Sequence, residues 1–220
     1  MMSARRFTDE AWERTAEIRS RIDQLPFLRQ LEDGSLSREI FENYMGQDAL
    51  YLTEYARALA ACAQQSTDPE HIIFWSRAAA GAIEEERALH ATHVVDFGAV
   101  EPSPTTVAYT SYELALASAG SLPVLAGSVL PCFWIYDDVG TRLKARIGSL
   151  PDHPYADWIS AYGDPEFHEL TVSARDVVDQ LAASASEETR ARMHQAFRRA
   201  SQYEWMFWDS AHRMETWPVG

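Results

Sequence analysis

The hydrophobic residues of this 220-residue chain recur with a helical spacing along nearly its whole length, and this pattern limits the fold more than any other feature. No stretch shows the sustained alternation of apolar and polar residues that marks a half-buried strand. The sequences TDPE at 67–70 and GDPE at 163–166 each put a capping residue before a proline, whose missing N–H costs little in the first turn of a helix. The sequence therefore predicts an all-α fold, with one domain over residues 1–220 and seven or eight helices.

The boundaries of the predicted helices follow from capping residues, glycines and prolines. In chain order, these helices cover about 9–22, 37–65, 69–97, 105–119, 123–147, a short segment ending at 162, 165–183 and 185–216. Between the first two, PFLRQLEDGSLS predicts a connection with a turn at Asp33-Gly34. Ser184 with Glu187 predicts a capping box at the start of the last helix. Pro131 lies inside a predicted helix and removes one helical hydrogen bond, so we expect a kink there.

Charge and composition exclude several classes of partner. The formal net charge of -14 argues against nucleic-acid binding, which needs clustered Lys and Arg, and the arginines at 190, 192, 198 and 199 indicate a solvated helix face. No apolar run approaches the ~20 residues that span a bilayer, and the charged start MMSARRFTDEAWER lacks the apolar stretch of a secretory signal. Cys62 and Cys132 have no zinc-ligand spacing and fit a reducing compartment. We expect a cytoplasmic protein that binds neither nucleic acid nor membrane.

Asp48 is the first candidate for a functional side chain. It shares one predicted helix face with Tyr44, Tyr51, Leu52 and Tyr55, by the spacing of helical turns. A carboxylate on an aromatic face is costly to bury unless it is hydrogen-bonded. Asp48 is therefore either a ligand-binding group or an acid at the edge of the core that is bonded to a tyrosine hydroxyl.

Cys132 is the second candidate, in the segment LPCFWIYDD. It directly follows Pro131, with Tyr136 one turn later on the same face. A kinked helix can turn a thiol towards a cavity, and a reactive thiol needs a base, a cation or a helix N-terminus nearby. The alternative is an inert core cysteine, since free cysteines are among the most buried residues.

Glu204 is the third candidate, in the most aromatic stretch of the chain, YEWMFWDSAHRMETWP. It shares a helix face with Phe207, Trp208 and Ala211. A carboxyl group desolvated among aromatic rings has a raised pKa, which suits proton transfer near neutral pH. A glutamate at the rim of the core, bonded to a neighbouring helix, is the structural alternative.

A competing pattern points to metal. Glu86, His90 and His93 fall on one predicted helix face, and Asp209 with His212 forms a second acid–histidine pair. Such pairs on facing helices can build a carboxylate–histidine di-iron site. The run Glu84–Glu86 also fits a solvated charged segment, with His90 paired to Glu86.

Taken together, several segments resemble the TenA (thiaminase II) family, and they occur in the family's order from about residue 27 to the C-terminus. These segments are FLRQLEDGSLSREIFENYMGQDALYL, IEEERALH, PTTVAYTSYELALA, LPCFWIY, WISAYGDPEF and YEWMFWDSAHRMETWPV. The resemblance implies a haem-oxygenase-like helical bundle that binds no haem or other cofactor and no metal. It also implies a homotetramer that acts in thiamin salvage.

The same resemblance implies roles for individual residues. Cys132 would be the nucleophile, which places the chain in the cysteine-bearing branch of the family, and Glu204 would be the acid/base. Asp48 would bond the amino group and ring nitrogen of a pyrimidine. His212 stands where the family pattern has an aromatic residue. The pocket would be lined by the aromatic residues Tyr51, Tyr109, Tyr136, Tyr162 and Phe207.

The implied reaction is hydrolysis of an aminomethylpyrimidine, or of thiamin, to hydroxymethylpyrimidine through a covalent bond to Cys132. Three other functions stay open on the sequence. One is a di-iron oxidase that uses Glu86, His90, Asp209 and His212. The others are a cofactor-free oxidase on the same fold and a pyrimidine-binding protein without catalysis.

Overall fold

The computed structural model describes residues 5–93, 100–148 and 150–219, and it describes the side chains of these ranges except 85–93. Within this part of the chain every regular element is an α-helix, which confirms the predicted all-α class. The ten helices are α1 Phe7–Arg14, α2 Ala16–Ile22, α3 Pro26–Asp33, α4 Arg38–Gln65, α5 Pro69–His93, α6 Pro104–Ser118, α7 Leu122–Ile147, α8 Ala156–Tyr162, α9 Pro165–Ala183 and α10 Glu187–His212.

Two local features make this number larger than the seven or eight helices predicted. The first predicted helix is divided at Thr15, whose backbone leaves the helical region and whose hydroxyl donates to the Ala11 carbonyl at 2.9 Å. The segment predicted as a connection is instead α3, because Pro26 stands at its first position and its apolar residues are buried. The predicted turn at Gly34 is confirmed, since its φ of 76° ends α3 in the left-handed region.

The start of α10 also differs from the prediction. Ser186, not Ser184, caps the helix, and its hydroxyl accepts from the Thr189 backbone N–H at 3.2 Å. Ser184 instead bonds back to the Gln180 carbonyl at the end of α9. The helix ends at His212, a few residues before the predicted position. The caps predicted from TDPE and GDPE are present, since Asp68 and Asp164 each accept from a first-turn N–H at 2.8 Å.

Helices α4, α7 and α10 form the centre of the bundle, with α5 and α6 against α4, and α9 against α7. Helix α7 is long and apolar enough to cross a membrane by composition, with a mean hydropathy of 1.2, so the expectation that no such run exists is wrong for this segment. However, 78% of that apolar window is buried within the bundle. This burial is that of a helix in the core of the bundle.

A glycine on α7 allows α8 to approach closely. A Cβ atom added at Gly140 would lie 2.4 Å from the carbonyl carbon and oxygen of Tyr162, a distance at which backbone must move. Gly140 therefore fixes the position of Tyr162, the last residue of α8.

We expect Gly140→Ala to lower the free energy of unfolding by about 3 kcal/mol, because the added methyl group meets backbone rather than a flexible side chain. Urea denaturation measures this loss. Gly81→Ala on α5 is the matched control, since its Cβ would meet nothing within 4 Å. That change should stabilise the helix by about 0.5–1 kcal/mol. Equal midpoints for the two variants would contradict the close approach of α7 and α8.

Candidate active site

A cavity of about 490 Å³ lies between α4, α5, α7 and the α8–α9 segment. Its volume is in the range typical of small-molecule sites. Cys132 and Phe133 form one wall, and Tyr55 and Tyr162 adjoin them. Arg77 is also part of the lining and is exposed to solvent. The cavity therefore has an apolar interior with a thiol in its wall.

Cys132 differs from the other cysteine in its access to this cavity. Cys62 is fully buried in the core, whereas Cys132 is partly exposed. Burial raises the pKa of the Cys132 thiol well above its ordinary value, and the charges that Glu204 and Glu113 carry once they ionise raise this pKa further. A hydrogen bond with Tyr51 acts in the opposite direction. At rest, Cys132 is therefore a neutral thiol that has to lose its proton during any reaction.

Glu204 projects from α10 into the buried space between α6 and α7, and only 1% of its surface is exposed. The hydroxyl of Tyr109 donates a hydrogen bond to its Oε1 atom at 2.7 Å. Burial raises the pKa of Glu204 to about 8, although the bond from Tyr109 lowers it, and the charge of Asp48 contributes to the rise. Glu204 is therefore protonated at neutral pH and can donate a proton.

Asp48 lies on α4 with 3% of its surface exposed. Its negative charge raises the pKa values of Cys132 and Glu204, and also those of Tyr44 and Tyr136. These effects place Asp48 within electrostatic range of both the thiol and the acid. The structure thus brings the three polar residues predicted from the sequence to one buried region.

Two groups of aromatic rings flank these polar residues. Around Tyr51, the ring centroid of Tyr109 is at 4.7 Å and that of Phe207 at 5.6 Å. In the second group, Tyr136 and Tyr162 have centroids 4.8 Å apart. The five aromatic residues predicted for the pocket come from α4, α6, α7, α8 and α10. Of the five, Tyr162 is part of the cavity lining, whereas the other four are buried beside the cavity and outside its lining.

Tyr109 and Tyr112 differ in position although they are one turn apart. Tyr109 is buried and bonds Glu204, whereas Tyr112 is only partly buried and contacts the ring of Tyr203 at 5.6 Å. The sequence prediction selected Tyr109 for the pocket. Its position beside Glu204 is consistent with that choice.

Glu113 is a functional candidate that is not among the residues predicted from the sequence. This residue is 1% exposed on α6, and its Oε1 atom accepts a hydrogen bond from Tyr51 at 3.3 Å. The sequence contains a signal for it, because Glu113 is the lone charged residue in the apolar segment VAYTSYELALA. A lone carboxyl in an apolar helix is a candidate for a functional buried acid.

The structure gives the competing di-iron pattern little support. The side chains of Glu86, His90 and His93 lie outside the described residues. Asp209 accepts a hydrogen bond from Arg213 at 2.8 Å, and His212 forms one with Gln30 at 3.0 Å. Each member of this predicted pair therefore has a different partner. Among the side chains that are described, no group of three or more His, Cys, Asp or Glu could hold a metal ion.

The sequence of the chain is similar to those of known proteins. The family model described as TENA/THI-4/PQQC family matches residues 12–214. The chain belongs to this family. It is 36% identical over 200 residues to the aminopyrimidine aminohydrolase of Halalkalibacterium halodurans, a match that covers 87% of this chain and 89% of that protein.

A second relative is the thiamine biosynthesis multifunctional protein ThiED of Corynebacterium efficiens, with 36% identity over 211 residues. That match covers 94% of this chain, which spans 28% of the length of the larger protein. Among solved structures, the TenA homologue protein from P. horikoshii OT3 has a TM-score of 0.84 and 27% identity, covering 95% of this chain and 99% of that one. A domain from Shewanella denitrificans with a heme oxygenase-like fold has a TM-score of 0.72 at 14% identity, covering 96% of this chain and 94% of that one, which confirms the fold.

Proposed function

We propose that the protein is an aminopyrimidine aminohydrolase of the thiaminase II type. It would convert 4-amino-5-aminomethyl-2-methylpyrimidine and water into hydroxymethylpyrimidine and ammonia. The observation that carries this proposal is the thiol of Cys132 in the wall of an apolar cavity, within electrostatic range of the protonated carboxyl of Glu204. The Halalkalibacterium halodurans relative is itself named for this activity.

In the proposed reaction, Cys132 attacks a ring carbon of the pyrimidine while Glu204 gives its proton to a ring nitrogen. The thiol proton passes to the departing amine, and the electrons added to the ring expel it from the exocyclic methylene as ammonia. Water then adds its hydroxyl to that methylene and the carbon–sulfur bond breaks. The remaining hydrogen of water returns to the sulfur and the ring-nitrogen proton returns to Glu204, which restores the thiol, the acid and the aromatic ring. Covalent catalysis of this kind divides one difficult displacement into two easier steps. The neutral resting thiol requires that attack and proton loss be coupled.

Asp48 and the aromatic rings would hold the pyrimidine in register. A carboxylate can accept hydrogen bonds from the 4-amino group, and the burial of Asp48 makes such bonds strong. Stacking against rings such as Tyr51 and Phe207 orients the plane of the substrate. Positioning of this kind lowers the entropic cost of the attack by Cys132.

The cavity is large enough for thiamin as well, in which a thiazolium replaces the amine as the leaving group. Beyond Cys132 it continues to Arg77, Asp164 and Glu166, so a leaving group larger than ammonia has space. We therefore include thiamin among the proposed substrates and place the protein in thiamin salvage in the cytoplasm, as one domain over residues 1–220. We also propose the homotetramer that the family resemblance implies, and the exposed Ile72 and Ile73 on α5 are candidates for its interface.

Incubation of the purified protein with aminomethylpyrimidine should release hydroxymethylpyrimidine and ammonia in equal amounts. Thiamin should release hydroxymethylpyrimidine and the free thiazole. Chromatography measures the products, and the ratio of the two kcat/KM values ranks the substrates. Substrate binding without any product would replace the proposal by a non-catalytic binder. Oxygen consumption would favour an oxidase.

A further inference from the structure

Glu113 is a buried acid that the proposed mechanism does not use. Its Oε1 atom is bonded by the Tyr51 hydroxyl at 3.3 Å, while its Oε2 atom is buried without a hydrogen-bond partner. A buried carboxylate oxygen without a partner is unfavourable, whereas a protonated acid loses much of that cost. The geometry therefore favours a neutral Glu113 in the resting protein.

The groups that face Glu113 come from each helix packed against α6. They are Tyr51, Tyr55 and Cys62 on α4, Tyr109 and Tyr112 on α6 itself, Cys132 on α7 and Glu204 on α10. Burial raises the pKa of Glu113 well above its ordinary value, and the charge of Glu204 raises it further, while the bond from Tyr51 opposes this rise. Because these groups are acids or neutral at rest, none of them supplies a positive charge to compensate an ionised Glu113.

Tyr51 connects Glu113 to the thiol. Its hydroxyl bonds Glu113 on one side, and a hydrogen bond with Tyr51 lowers the pKa of Cys132 on the other. A tyrosine hydroxyl has one hydrogen to donate but can accept a second bond. The single hydrogen of Tyr51 can therefore go to the sulfur of Cys132, to Glu113 or to the hydroxyl of Tyr109, with which Tyr51 also shares a hydrogen bond, but to one of them at a time.

We propose that Glu113 is a positioning residue for the nucleophile and acts through Tyr51. As a neutral acid, Glu113 donates its own hydrogen to the Tyr51 oxygen, and the Tyr51 hydrogen then points to the sulfur of Cys132. As a carboxylate, Glu113 accepts the Tyr51 hydrogen, so the sulfur loses Tyr51 as a donor. The two states differ by the one proton that Glu113 loses to solvent. No proton passes between Glu113, Tyr51 and Cys132, and the Tyr51 hydrogen changes its acceptor.

This arrangement would matter at the moment when Cys132 bears negative charge, during attack and again when the carbon–sulfur bond breaks. A hydrogen bond to a charged group is stronger than one to a neutral group. The neutral state of Glu113 therefore favours both steps. This part of the inference rests on the nucleophilic role proposed for Cys132, whereas the control of thiol acidity does not.

The test measures the alkylation rate of Cys132 by iodoacetamide as a function of pH, with the modified site assigned by mass spectrometry. This readout needs no pyrimidine chemistry, so it can succeed or fail independently of the proposed hydrolysis. Cys62 does not compete, because it is fully buried and burial raises its pKa. The variants are Glu113→Gln, Tyr51→Phe and the double variant.

Glu113→Gln keeps a neutral donor beside Tyr51 and cannot ionise. We expect it to alkylate faster than the wild type at alkaline pH, by about 3- to 10-fold, which corresponds to a thiol pKa about 0.5–1 unit lower. Tyr51→Phe should be slower than the wild type by a similar factor. In the Tyr51→Phe background, the gain from Glu113→Gln should shrink to the part that is due to charge alone.

An equal gain in both backgrounds would overturn the proposal, because Glu113 would then act by charge and not through Tyr51. An unchanged rate in Glu113→Gln would overturn it as well. Glu113→Leu, which removes the charge but offers no donor, should gain less than Glu113→Gln. Thr110→Val is the matched control on α6, since the Thr110 hydroxyl is buried but bonds the Thr106 carbonyl of its own helix. It should alkylate at the wild-type rate.

Discussion

Replacement of Cys132 by alanine is expected to lower kcat for pyrimidine hydrolysis by about 10³-fold or more, because it removes the nucleophile of the proposed covalent step. A loss of this size corresponds to about 4 kcal/mol of transition-state stabilisation. The KM value should change much less, since the rings around Tyr51 and Tyr136 and the carboxyl of Asp48 remain in place. Product release under single-turnover and steady-state conditions measures both quantities.

The second cysteine provides the control for this experiment. Cys62 has no exposed surface and lies on α4 away from the lining of the cavity. Cys62→Ala should therefore keep wild-type turnover while it costs some stability through the small space left in the core. Cys132 lines a cavity that already exists, so its replacement by alanine leaves no new space in the core. The Cys132→Ala variant should therefore unfold at nearly the wild-type temperature. Near-native turnover in Cys132→Ala would contradict nucleophilic catalysis by this thiol.

Much of the fold could be predicted because the helices are amphipathic and carry local start signals. The prolines at 69, 104 and 165 each follow a capping residue, and the helices begin at these prolines. The prediction failed where the signal was ambiguous. PFLRQLEDG contains a proline and ends in Asp-Gly, as a loop does, but the burial of Phe27, Leu28 and Leu31 holds PFLRQLED as α3. Tertiary burial of this kind is not visible in local sequence.

The site could be predicted in part for a similar reason. Asp48, Cys132 and Glu204 were selected because each is a polar residue on an apolar or aromatic helix face, or because the family resemblance selects it. Glu113 fits the same description but was missed, because a single glutamate in a long helix is usually solvated. Its significance depends on the bond from Tyr51, a residue on another helix and 62 residues away in sequence. Such pairings depend on the packing of helices and cannot be read from spacing.

The second large effect is expected for Glu204→Gln, which keeps the shape of the side chain but cannot give a proton to the substrate ring. General acid catalysis contributes about 10²–10⁴-fold, and we expect kcat to fall within this range. In the wild type, kcat/KM should decline above about pH 8 as Glu204 ionises, because its pKa is about 8. Tyr109→Phe removes the bond that lowers this pKa, so its decline should begin at a higher pH.

The raised pKa of Glu204 also makes a prediction about stability. The ordinary value of 4.5 applies to the unfolded chain and the value of about 8 to the folded protein, so folding favours the neutral acid. The contribution is fully present below about pH 4.5 and is lost progressively as pH rises through about 8. At about 1.4 kcal/mol per pKa unit, the loss has a ceiling of about 5 kcal/mol. Glu204→Gln does not ionise and does not suffer this loss.

Denaturant unfolding of wild type and Glu204→Gln at several pH values measures the difference. The variant should gain stability relative to the wild type between about pH 5 and 8, with no further gain above this range. Glu169→Gln, an exposed glutamate on α9, is the matched control for the removal of a carboxyl group. A gain that is independent of pH would show that Glu204 is ionised in the folded protein at neutral pH. The same result would remove its role as proton donor, since an ionised carboxylate has no proton to give to the pyrimidine.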